Sequence, residues 1–202
     1  MKQLIYIGGG DCFRTEEDFS NALKNLRTYE PFKERKKRQD RLRSNVSKEY
    51  EIANPTMPNK FNARYNHRKI WFEKIFPYLN NESLVMIGYS LGCIFLAKYL
   101  SENTFPKKID QLHFVAPVFD ESDLPEGENY LADFTFNPAG LKNLEKQVDR
   151  IFLYHSHDDP MVPFSHVEKF KTYLPKAKVF VFEDRGHFRQ EEFPELLANI
   201  RT

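Results

Sequence analysis

The chain has 202 residues, enough for one domain with a single core and no disulfide or metal staple. Its 30 basic and 29 acidic side chains leave a net charge of +1, and 41% of its residues are apolar. That balance gives no overall pull toward nucleic acid or membrane. Two cysteines, Cys12 and Cys93, do not make a disulfide scaffold, the N-terminal apolar run LIYI is shorter than a signal-peptide core, and no run could span a bilayer. A cytoplasmic protein is expected.

LIYI (4–7) reads as a first strand and is followed by GGG (8–10). Thr15 reads as a helix N-cap, with Glu16, Glu17 and Asp18 near the positive end of the helix dipole. Phe19, Ala22, Leu23 and Leu26 then keep helical spacing. Between Lys33 and Arg43 seven cations stand against two acids. Residues 31–47 are expected to form a solvated basic insertion, with contact to an anionic partner as the alternative. No aromatics interleave with its basic core, which disfavours nucleic acid.

YEIAN (50–54) is a weak strand closed by PTMPN. From Arg64 to Leu79 the apolar residues Ile70, Trp71, Ile75, Phe76 and Leu79 fall at helical spacing. SLVMIGY is a strand, and residues 91–100 are apolar on nearly every face, as in a deeply buried helix. QLHFVAPVF (111–119), RIFLYHS (150–156) and KVFVFED (178–184) are further strands. Ser165 with Glu168 reads as a capping box, and Pro194 suits the first turn of a last helix. Residues 120–147 make a long connection, with a short helix near 139–147. Strands and helices alternate throughout, and the strands are continuously apolar. The expected class is therefore α/β: a mostly parallel sheet with helices on both faces, in one domain spanning 1–202 with no separate cap.

Four features fall at the C-terminal ends of these strands, where side chains of such sheets act. GYSLGC (88–93) places Ser90 in G-x-S-x-G between a strand and a helix, the setting of a nucleophile elbow. HSHDDPMVP (155–163) offers Asp158 and Asp159 as a carboxylate to orient a histidine, and the D-P-x-V-P spacing favours Asp159. DRGHF places His187 just past the last strand. His67, His113 and His166 lie inside elements, and His155 and His157 flank the acid. The GGG loop can turn backbone N–H groups toward a substrate oxygen, so Gly9 or Gly10 is expected to share an oxyanion hole with Leu91. GGGDCF fits neither nucleotide-binding glycine pattern. H-S-H-D-D resembles a metallohydrolase core, but proline occupies position 160, where that core needs a histidine; no metal or organic cofactor is expected.

Together these residues resemble a family. GGGD after the first strand, NPTMPN, Trp71 in a helix, GYSLGC, DDPMVP and GHF occur in the order found in the small cap-less α/β-hydrolases that include retinoblastoma-binding protein nine and its bacterial relatives. The match spans most of the chain apart from the basic insertion. The resemblance implies a serine-hydrolase fold with Ser90, Asp159 and His187 as its triad. It leaves the substrate open. Cys93 stands where a small residue is more usual and is expected to be a buried spectator.

The expected activity is hydrolysis of esters, thioesters or amides of small to medium acyl groups, carboxylesterase-like, with Tyr130, Phe134 and Phe136 as an apolar acyl wall. The expected partner is a small-molecule acyl substrate. The alternative is a binding protein on a hydrolase scaffold, with a protein partner and little or no turnover.

Overall fold

The computed structural model describes residues 1–25, 42, 44–125, 130–190 and 192–202. Most of the basic run at 33–43 lies outside the described residues.

Among the described residues six strands form one sheet: β1 (Lys2–Ile7), β2 (Tyr50–Ala53), β3 (Leu84–Tyr89), β4 (Ile109–Val115), β5 (Val148–Ser156) and β6 (Lys178–Phe182). Their spatial order is β2-β1-β3-β4-β5-β6, and every pairing is parallel. The described helices are α1 (Glu16–Lys24), α2 (Tyr65–Glu73), α3 (Leu91–Glu102), α4 (Leu141–Gln147), α5 (Ser165–Tyr173) and α6 (Pro194–Ile200).

Strand geometry explains the two-sided core. Successive side chains point to opposite faces. Ile5, Ile7, Leu84 and Met86 pack on one side with Tyr65 and Phe72 of α2, the buried face of α3, and residues of α4 and α5. Leu4, Tyr6, Val85 and Ile87 pack on the other with Leu196 and Ile200 of α6. Because both faces are covered, the centres of β1, β3 and β5 are apolar on both sides instead of alternating. The architecture is therefore α/β, one parallel sheet with helices on both faces.

Some boundaries differ from the sequence-based expectation. The helix expected over 64–79 ends at Glu73 and continues as a 3₁₀ turn, Phe76–Tyr78, because Pro77 has no N–H to extend it. β4 stops at Val115, where Ala116 takes a positive φ of 48° and its N–H pairs with Tyr154 O at 2.9 Å. The capping box expected at Ser165 is not formed: the N-cap is Phe164, and Ser165 is already helical. At Thr15 a capping box with Asp18 does form. The 31–47 segment is not wholly solvated, since Leu42 and Val46 are buried in the second core. No helix among the described residues is long and apolar enough to cross a membrane.

Candidate active site

With all strands parallel, one end of the sheet collects every strand C-terminus. β1 connects outward to β2 on one side, while β3 lies on its other side and leads toward β4. The β1/β3 pair is thus where the winding reverses, and a crevice opens there in such sheets. The GGG loop leaves β1 and Ser90 leaves β3 at that crevice. A cleft of about 630 Å³ is lined there by Gly8, Gly9, Gly10, Ser90, Leu91 and His187, among others.

Ser90 is the N-cap of α3 and has φ 53° and ψ −120°, a region costly for any residue with a Cβ. Its N–H donates to Val115 O at 2.9 Å and its C=O accepts from Cys93 N at 2.8 Å, so the strained turn is held from both sides. The flanking glycines are sterically required. A Cβ on Gly92 would fall well inside contact with the Ile7 carbonyl oxygen, and one on Gly88 would lie 2.9 Å from Gly92 O and Cys93 Cα. Leu91 N–H opens α3 and carries the positive end of its dipole.

His187 sits eight per cent exposed on the loop after β6, turned by Gly186 at φ 48°. Tyr89 Oη donates to the His187 carbonyl at 2.7 Å, tying this loop to the serine turn. The His187 Nδ1 lies 3.0 and 2.9 Å from the two carboxylate oxygens of Asp159. A carboxylate only accepts, so Nδ1 carries the proton and Nε2 is the basic nitrogen. The Asp159 side chain has no exposed surface and also accepts from Met161 N at 2.9 Å and Val162 N at 3.1 Å. Asp158 does something else: it accepts from Ser156 Oγ and from Gly186 N at 2.8 Å, bracing the histidine loop. These hydrogen bonds hold its carboxyl below the usual range.

The other histidines are occupied elsewhere. His155 Nε2 donates to Val162 O at 2.8 Å behind Asp159, and burial lowers its pKa. His157 stacks on Phe164 at the surface. His166 accepts from Phe119 N at 3.0 Å and donates to Ser122 O at 2.9 Å, pinning the start of the long connection. Among the described residues no group of three or more His, Cys, Asp or Glu is arranged to hold a metal. Cys93 is buried, its thiol donating to Val115 O at 3.4 Å, and burial pushes its pKa well up.

The acyl wall needs correction. Tyr130 lines the cleft, with the Arg14 guanidinium 5.0 Å from its ring centre. Phe134 has no exposed surface and packs edge-on against Tyr65 beneath the site. Phe136 packs on Phe119 and does not line the cleft. Met57, Leu124 and Met161 supply apolar lining that sequence reasoning did not single out. Asp133 was also missed: its carboxylate caps α2 through Tyr65 N at 2.6 Å and Asn66 N at 3.2 Å. That contact joins distant segments, and no local pattern marks it.

Fold and site together define a hydrolase of the α/β class. Residues 38–195 match the family model for serine hydrolases, and the chain belongs to that family. The serine hydrolase RBBP9 of Rattus norvegicus is 26% identical over 147 residues, covering 72% of this chain and 74% of that protein. The structure is similar to that of the ydeN gene product of B. subtilis, with a TM-score of 0.70 at 16% identity, covering 100% of this chain and 97% of that one. It is also similar to the meta-cleavage product hydrolase of Pseudomonas fluorescens, with a TM-score of 0.67 at 12% identity, covering 99% and 89%.

Proposed function

We propose that the chain hydrolyses esters or thioesters, and by extension amides, of small to medium acyl groups, with Ser90, His187 and Asp159 as the catalytic triad. The observation that carries this reading is the buried Asp159–His187 pair, whose imidazole shares one cleft with a serine on a strained strand-to-helix turn. In acylation, His187 Nε2 takes the Ser90 proton as Oγ attacks the carbonyl carbon. The oxyanion is held by the N–H groups of Leu91 and Gly9, each such donor being worth about 3 kcal/mol in the transition state. Collapse expels the leaving group with the proton from His187. In deacylation His187 removes a proton from water, which attacks the acyl-serine and releases the acid.

A mouth lined by Met57, Leu124, Tyr130 and Met161 suits a short or medium apolar acyl chain. A cytoplasmic setting agrees with two unpaired, buried cysteines. Steady-state hydrolysis of p-nitrophenyl esters of increasing acyl length tests the reading. The expected result is a maximum at short to medium chains that vanishes in Ser90→Ala. A flat background equal in wild type and Ser90→Ala would overturn it.

A further inference from the structure

Arg68 has no exposed surface, and the mechanism above gives it no task. It projects from α2 beneath the glycine loop. Its Nη1 donates to Gly8 O at 3.2 Å and its Nη2 to Gly9 O at 3.0 Å. The Phe134 ring lies 5.6 Å from its Cζ. Its Nε has no hydrogen-bond partner among the described residues.

The consequence follows from peptide geometry. The Gly8 carbonyl shares a planar unit with the Gly9 N–H, and the Gly9 carbonyl shares one with the Gly10 N–H. In a trans peptide the C=O and N–H point to opposite sides. A cation that grips both oxygens from beneath therefore aims both N–H groups away from itself, and Gly8, Gly9 and Gly10 line the cleft beside Ser90. The downstream end of the loop is clipped separately: Asp11 N donates to Lys60 O at 3.0 Å, and Asp11 O accepts from Ala63 N at 2.8 Å. We infer that Arg68 is a positioning residue that preorganises the oxyanion hole, fixing the Gly9 and Gly10 N–H groups toward the carbonyl under attack and polarising both peptides with its charge.

The inference rests on the hydrolase reading above. Arginine suits this task because its planar fork reaches two acceptors at once, which a lysine ammonium cannot do with the same geometry. Burial lowers the Arg68 pKa to about 10, opposed by Cys12 and Asp11, so the side chain stays charged at neutral pH. Glycine at position 10 is required for the same contact. A Cβ there would collide with Arg68 Nη2 and lie 2.8 Å from Lys60 O.

The test is steady-state hydrolysis of p-nitrophenyl acetate by wild type, Arg68→Met and Arg68→Lys. Rates are expressed per active site counted by exhaustive fluorophosphonate labelling. In Arg68→Met, kcat per site is expected to fall about 100-fold, with KM within about threefold of wild type and the pH midpoint of kcat unchanged. Arg68→Lys is expected to recover part of the loss. A kcat within about threefold of wild type, a loss carried by KM, or a moved pH midpoint would overturn the role. If Arg68→Met yields no folded protein, Arg68→Lys decides by the same criteria, with a fall in kcat per site of about tenfold expected, because an ammonium keeps the charge but not the two-acceptor fork. Wild type that neither labels nor turns over would remove the hydrolase reading and the oxyanion hole together. Active wild type with an indifferent Arg68→Met removes only the role of Arg68.

Discussion

Replacing Asp159 by asparagine is expected to lower kcat about 10⁴-fold while leaving the fold in place. The geometry dictates how. Asp159 Oδ1 accepts from Met161 N and Val162 N at 2.9 and 3.1 Å, while Oδ2 lies 2.9 Å from His187 Nδ1. An asparagine keeps its oxygen on the two backbone donors, because flipping the amide would forfeit both bonds at about 1 kcal/mol each. Its NH₂ then stands 2.9 Å from Nδ1 and opposes an Nδ1–H, while Oδ1, 3.0 Å from Nδ1, is already engaged by two backbone donors, so the tautomer with the proton on Nε2 is favoured. The histidine can no longer take the serine proton. A loss of 10⁴ corresponds to about 5.5 kcal/mol of transition-state stabilisation. The control is Asp158→Asn, which touches only the loop brace at Ser156 and Gly186 and is expected to cost less than about tenfold. Both variants would be assayed for ester hydrolysis, with circular dichroism to confirm folding. Asp159→Asn with more than a tenth of wild-type activity, or equal losses in the two variants, would refute the reasoning.

Other expectations concern stability. Gly92→Ala should place a methyl against the Ile7 carbonyl, an overpacking cost of about 3 kcal/mol that lowers the thermal midpoint by roughly 6–12 °C; an unchanged midpoint would contradict the close approach of α3 to β1. Ser90→Gly should melt roughly 2–4 °C above Ser90→Ala, since glycine relieves the φ of 53° at a smaller cost in chain entropy; equal midpoints would mean the turn stores no strain. Burial, aided by the Arg150 charge, lowers the pKa of His113 from 6.5 to about 3, and burial also lowers His155 and His166. The unfolded chain therefore binds more protons than the folded one below pH 6.5. Stability is complete above that pH and should fall on acidification toward pH 3, by up to about 1.4 kcal/mol per pH unit from His113, with His155 and His166 acting in the same direction. Thermal midpoints that are equal at pH 7.5 and pH 5.5 would contradict this.

Much of the architecture is legible in the chain because parallel strands covered on both faces are apolar through their centres, as Leu4–Ile7, Leu84–Ile87 and Ile151–Tyr154 are; in β4 the buried polar residues Gln111 and His113 interrupt the run. The serine turn is equally legible: Gly88 and Gly92 are demanded by backbone contacts, so the steric requirement is written into the motif itself. The choice between Asp158 and Asp159 is a matter of direction. Adjacent residues point apart, and only the coordinates show that one braces Gly186 while the other meets His187.

Phe134 illustrates the limit. An aromatic in a long irregular connection suggests a site wall, but Asp133 anchors that connection to α2 and turns Phe134 beneath it. Arg68 was illegible for a related reason. Within its own helix it is one more basic residue, and its meaning depends on a loop 60 residues earlier. The helical spacing over 64–79 was read from its apolar positions alone, so a buried cation on that helix left no periodic signal.

The central claim, that Ser90 is a nucleophile activated by His187, is tested most directly by fluorophosphonate labelling with peptide mass spectrometry on wild type, Ser90→Ala and His187→Ala. A single adduct on Ser90 in wild type, absent from Ser90→Ala and nearly absent from His187→Ala, is the expected result. Folded wild-type protein that takes up no label, or a label that maps to another residue or persists in His187→Ala, would contradict it.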